Sequence, residues 1–192
     1  MKGFGENNKA GRRQASKKLL RLPPEQLKAR SVKQHLEGDL QAAERGYEAF
    51  ISTGLSDPDV LSNYALICQE KGNIDKSTRL YEKCVRLYPN HSFARSNLGY
   101  LYLNIGKLNQ AESITREALE LEPGLASAHS GLGLILKEQG RLKEAEVSTR
   151  KAIELDRSMA DAYSNLGLIL KELGRVDEAE ESTREAVELN PS

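Results

Sequence analysis

Residues 126–159 read ASAHSGLGLILKEQGRLKEAEVSTRKAIELDRSM, and residues 160–192 read ADAYSNLGLILKELGRVDEAEESTREAVELNPS. Aligned without gaps, 22 of 33 places are identical. The same landmarks run backwards through 92–125 and 58–91, and a more degenerate copy occupies 24–57, where Gly38, Leu40, Ala43 and Tyr47 stand one period ahead of Gly72, Ile74, Ser77 and Tyr81. Gly72, Gly106, Gly140 and Gly174 are spaced by 34 residues, as are Ala111, Ala145 and Ala179. A fixed period in this range marks a repeat architecture, in which each unit buries its apolar edge against the next.

Within one copy the apolar residues follow helical spacing: Leu132, Ile135 and Leu136 in the first half, then Leu142, Ala145, Ala152 and Leu155 in the second. Gly140 falls where the first helix must end, since a residue without Cβ accepts the left-handed conformation. Gly133 and Ala145 keep side chains small where two antiparallel helices cross. Pro89, Pro123 and Pro191 close their repeats because proline lacks the amide donor. Ser56 or Asp57 ahead of Pro58 reads as a cap followed by proline in the first turn. Helices of about 13 residues are marginal in water alone. The expectation is therefore an all-α chain: an α-α superhelical solenoid of five helix-turn-helix units and no strands.

Composition agrees with a thin, distributed core. Hydrophobic residues make up 39%, aromatics 5%, and there is no Trp. The formal net charge is zero, yet residues 1–33 carry ten Lys and Arg against Glu6 and Glu25. The stretch 1–23 reads as a basic, disordered arm, with Arg12 to Leu22 able to coil into a short amphipathic turn. Neither a secretory signal nor a spanning segment is visible, and Cys68 and Cys84 read as small buried residues. A cytoplasmic setting is the default expectation.

The N-L-G, G-R-L-K-E-A and A-I-E-L-D segments resemble the most characteristic parts of tetratricopeptide repeats (TPR), and the resemblance covers residues 24–192. It implies repeats at 24–57, 58–91, 92–125, 126–159 and 160–192. The array is also similar to the repeats of O-GlcNAc transferases and of bacterial TPR arrays. Two places depart from the family. An early aromatic survives only as Tyr163, and Thr115, Thr149 and Thr183 replace a bulky aromatic that Tyr47 and Tyr81 keep. Those threonines suggest looser packing on the same fold.

The resemblance implies a concave surface lined by the first helices, holding an extended peptide or a partner helix. Carried over place by place, the lining is Asn63, Asn97 and Asn165, with Gly131 breaking the series beside Ser130. Leu66, Tyr100, Leu134 and Leu168 follow one turn along, then Lys137 and Lys171. A carboxamide both donates and accepts, so a row of asparagines can hold a peptide backbone with little regard to its side chains. The same asparagines can instead act as structural ties between repeats. The lysine clamp of chaperone-docking members is not matched, because Ser62, Ser96, Leu66 and Tyr100 occupy its places.

Other signals argue for no chemistry. Glu112–Arg116–Glu120 and its copies read as a solvated outer face paired at four-residue spacing. His35, His91 and His129 occupy unrelated repeat places, and no Gly-rich phosphate loop, nucleophile elbow or metal motif occurs. The expectation is a protein-binding scaffold or adaptor rather than an enzyme, with no cofactor, metal or small-molecule substrate. Two other roles stay open: a substrate-selecting segment of a larger transferase, and tethering to nucleic acid or a membrane surface through the basic arm. Self-association through the last repeat is a further expectation.

Overall fold

A computed structural model describes residue 19 and residues 21–190. Its described residues hold ten helices and no strand. They pair as α1 (Pro24–Leu36) with α2 (Leu40–Ser52), α3 (Pro58–Glu70) with α4 (Ile74–Leu87), α5 (Ser92–Asn104) with α6 (Leu108–Leu121), α7 (Ala126–Glu138) with α8 (Leu142–Leu155), and α9 (Ala160–Glu172) with α10 (Val176–Leu189). The chain divides into two compact units, Met1–Tyr88 and Pro89–Ser192.

The hairpin turn follows directly from its glycine. Gly140 has φ +76°. Its amide donates to the Lys137 carbonyl at 2.8 Å, and the Arg141 amide reaches back to Leu136 at 2.9 Å. This double bond pattern satisfies carbonyls that a helix end otherwise leaves bare. The turn is short, so the second helix must run back along the first.

In the first unit the core is aromatic. Tyr47, Tyr64 and Tyr81 are almost fully buried, and Phe50 joins them. Leu27, Ala43, Val60 and Ile67 complete one cluster, against which Leu19 and Leu22 also pack. The Tyr47 and Tyr64 rings lie 6.3 Å apart. Side chains cap three of its four helices: Asp39 accepts from the Ala42 amide at 2.9 Å, Asp57 from Val60 at 3.1 Å and Asn73 from Lys76 at 3.3 Å.

In the second unit the core is aliphatic and shared between neighbours. Leu132, Leu136, Ala145 and Ile169 form one cluster with Leu119 and Leu173 packed on it, so three repeats contribute to it. Leu166, Leu170 and Ala179 form another with Ile153. The helices of one hairpin approach closely: a Cβ on Gly133 would stand 3.1 Å from the Ala145 carbonyl oxygen and 2.1 Å from the Thr149 hydroxyl oxygen. Gly99 and Thr115 repeat that arrangement. The threonine hydroxyl thus fills the space a first-helix Cβ would take.

Of the basic arm, residues 1–18 and 20 lie outside the described residues, and with them most of the expected short turn.

Candidate peptide-binding groove

Successive first helices of the second unit present equivalent places side by side. On α5, α7 and α9 these are Ser96 and Asn97, Ser130 and Gly131, Ser164 and Asn165. Together with Tyr100 and Leu134 one turn along, they line a recess of about 340 Å³. Ser96 and Ser130 are buried at its floor, Asn97 and Asn165 are half-buried, and Tyr100 is 45% exposed. The volume lies near the lower end of the range that ordinary ligand pockets span.

The break in the asparagine row is a physical notch. A Cβ on Gly131 would meet nothing within 4 Å. The Asn165 amide nitrogen donates to the Ser130 hydroxyl at 3.2 Å. That bond uses one of its two donors and leaves the other and the carbonyl for a ligand. Asn165 is therefore both a tie between repeats and a lining residue.

Asn97, Tyr100, Ser130, Leu134 and Asn165 are brought together. The remaining sequence-derived places are not. Lys137 lies between Glu138 at 3.0 Å and Glu172 at 3.1 Å. Its hydrogen bond to Glu138 leads in raising its pKa, against the opposing effect of burial. That ammonium is committed to the fold. Leu168 and Lys171 line a separate recess at the far face of the last repeat, with Val176 and Val187. Asn63 and Leu66 belong to the first unit, where the Tyr47 hydroxyl lies 3.3 Å from His35 Nδ1. Burial pushes the Tyr47 phenol up to about 12, against an opposing effect of the Asn63 side chain.

Sequence reasoning missed Ser127, Met159, Asp161 and Ser164, which also line the groove. Asp161 is exposed and has no ion-pair partner among the described residues. Ser127 and Asp161 share a repeat place with Phe93, which is 53% exposed. A reading confined to the asparagine row and the next turn overlooks this first-turn place.

The outer face also differs from expectation. Glu112 bonds Arg116 four residues on, but it also accepts from Arg141 Nη1 at 2.8 and 2.9 Å and from Gln139 at 3.0 Å. Arg175 does the same to Glu146 at 2.7 and 2.8 Å. Each arginine also forks onto a glutamate in the first turn of the helix it precedes, Glu144 or Glu178. These are stitches between consecutive repeats, not merely solvated pairs. Burial pushes the Glu112 carboxyl up, but the bonds from Arg141, Arg116 and Gln139 outweigh it and hold it down at about 2.

Models described as tetratricopeptide repeat match residues 58–91, 80–113 and 160–192, and one described as TPR repeat matches 133–174. Together they span more than half of the sequence. The chain belongs to the tetratricopeptide repeat family. It is accordingly a protein-interaction scaffold. No curated protein matches it.

Solved structures share the fold. TTC0263, a thermophilic TPR protein of Thermus thermophilus, is 23% identical with a TM-score of 0.76, over 88% of this chain and 93% of that one. MamA 41-end from Desulfovibrio magneticus RS-1 is 21% identical with a TM-score of 0.71, over 88% and 95%. Among the described residues no helix of this TPR chain is long and apolar enough to cross a membrane, and no three His, Cys, Asp or Glu side chains are grouped to hold a metal ion.

Proposed function

We propose that this scaffold grips an extended peptide or a partner helix in the groove of its second unit. The observation that carries the reading is the 340 Å³ recess on the first helices, where Asn97 and Asn165 flank the Gly131 notch and Tyr100 stands exposed. The carboxamides supply main-chain hydrogen bonds, the notch admits one large side chain, and Tyr100 offers apolar area at low entropic cost. Groove recognition by an array of this kind needs no catalytic residue, and the role is read as non-enzymatic. The setting is read as cytoplasmic, in keeping with two buried cysteines that are not joined in a disulfide. The transferase-segment and basic-arm roles are not favoured by the family match. A second surface, the far face of the last repeat, is read as a site of self-association.

Gly131→Phe tests the groove. Its Cβ meets open space, and replacing a mid-helix glycine favours the helix by roughly 0.5–1 kcal/mol. The variant should melt at or above the parent temperature yet lose the partner that the parent captures. Asn97→Ala with Asn165→Ala should weaken the same capture. Retention of that partner by both variants means that it binds elsewhere.

A further inference from the structure

The groove has a counterpart in the first unit that the chain fills by itself. There Lys28 reaches from α1 to the start of α3, and its ammonium donates to the Asp57 carboxylate at 2.6 Å and to the Asp59 carboxylate at 3.0 Å. Burial disfavours that ammonium, but the bonds to Asp57 and Asp59 outweigh it and hold its pKa above the ordinary value. Asp57 also caps α3, and Asp59 stands in the first turn of that helix.

Counted by repeat place, Lys28, Asp57 and Asp59 correspond to Ser130, Met159 and Asp161 between repeats four and five. These three all line the recess of about 340 Å³. One carboxylate is kept, the other has become a thioether, and the cation has become a short hydroxyl. Between repeats three and four the same places hold Ser96, Leu125 and Ser127, with no charge at all. Asp161 is the one charged side chain among the described residues that line the recess, and it is exposed, as Asp59 is. What differs is Ser130, which lies inside the array and not at an edge of it. A first-turn carboxylate also suits the positive end of its helix. Asp59 has that same place and takes an ammonium as well, so the helix end does not use up the carboxylate.

We propose that the groove selects a peptide with a cationic side chain, lysine before all, whose ammonium sits against Asp161 as the Lys28 ammonium sits against Asp59. The inference rests on the groove reading above and adds to it the chemistry of the occupant. Met159, half-buried in the place of Asp57, offers a lysine stem apolar contact, and the Ser130 hydroxyl can accept from the ammonium. The rest of the lining is neutral and repels no cation. Because the carboxylate is single, the basic residue is needed at one register of the peptide and not along its length.

Selection of a phage-displayed library of random peptides on the full chain tests this, with thermal melts confirming that each variant is folded. The parent should enrich peptides that share a lysine at one register. A synthetic copy of an enriched peptide should bind Asp161→Asn roughly three- to tenfold more weakly, and Asp161→Lys more weakly still. Changing the peptide's lysine to glutamate should recover binding to Asp161→Lys. Failure to enrich any peptide, or enriched peptides that bind Gly131→Phe as well as the parent, overturns the groove reading and this inference together. Peptides that are lost on Gly131→Phe yet share no basic residue, or that bind Asp161→Asn as tightly as the parent, overturn this inference and leave the groove standing.

Discussion

The two units build the same hairpin by different means. At the start of the second helix the first unit places Asp39 and Asn73, whose side chains cap that helix. The second unit places Arg141 and Arg175 there, which make no cap and instead reach to Glu112 and Glu146 of the preceding repeat. Glu44, at the place of Glu112, is bridged in the first unit by Lys71, two residues before Asn73. One residue cannot do both jobs. A carboxamide or carboxylate accepts from the backbone, whereas a guanidinium only donates. The cores diverge in parallel: where the second unit sets Thr115 or Thr149 against Gly99 or Gly133, the equivalent repeat places of the first unit hold Tyr47 or Tyr81 and Ser31 or Ala65. Local order dominates the first solution and coupling between repeats the second.

The largest effect should come from the aromatic core. Tyr47→Ala removes a fully buried ring and should cost about 3–5 kcal/mol, read by hydrogen exchange of first-unit amides. A loss under about 1 kcal/mol would mean that the ring's burial matters little.

Next is the close helix crossing of the second unit. Gly133→Ala should destabilise by about 1–3 kcal/mol through overpacking against Thr149 and the Ala145 carbonyl. Thr149→Ala removes the hydroxyl that occupies the new methyl's space. In a double-mutant cycle by denaturant titration, the pair should therefore lose less than the sum of the two single changes. Thr149→Val separates shape from polarity. The Thr149 hydroxyl is buried without a hydrogen-bond partner, so a methyl of similar size should be neutral or stabilising.

The stitches come third. Glu112 titrates at about 2 in the folded protein, below the ordinary 4.5. A depressed carboxylate contributes stability that is fully present above its unfolded pKa and is lost as pH falls through the folded one. Glu112→Gln should cost roughly 1 kcal/mol near neutral pH and flatten the decline in stability between about pH 4.5 and 2. An unchanged acid limb would show that the bridge contributes nothing.

The smallest net change should come from exchanging one solution for the other. Arg141→Asn brings the capping side chain of the first unit into the second, a gain of about 1 kcal/mol, and removes a bridge of similar worth. Stability at neutral pH should barely move, while its dependence on acid weakens.

Much of the fold was legible because the period is written in residues with one physical job. A glycine at φ +76° and a small residue at a helix crossing leave few alternatives. Thr115 and Thr149 read as loosened packing because the sequence shows the lost aromatic but not the hydroxyl filling a missing Cβ. The stitches were hidden by a nearer explanation, since Glu112 and Arg116 already form a good pair along one helix. Asn97 and Asn165 could be placed by repeat position alone. Lys137, Leu168 and Lys171 could not, because what surrounds them depends on whether another repeat follows in space.

The central claim is that stacked hairpins leave the Asn97–Gly131–Asn165 wall free to hold a partner. A photo-crosslinking amino acid placed at residue 131 reports on it directly, with residue 147 on the exposed outer surface as control. The partner should crosslink at 131 and not at 147. Equal crosslinking at both places, or capture only at 147, would contradict the account.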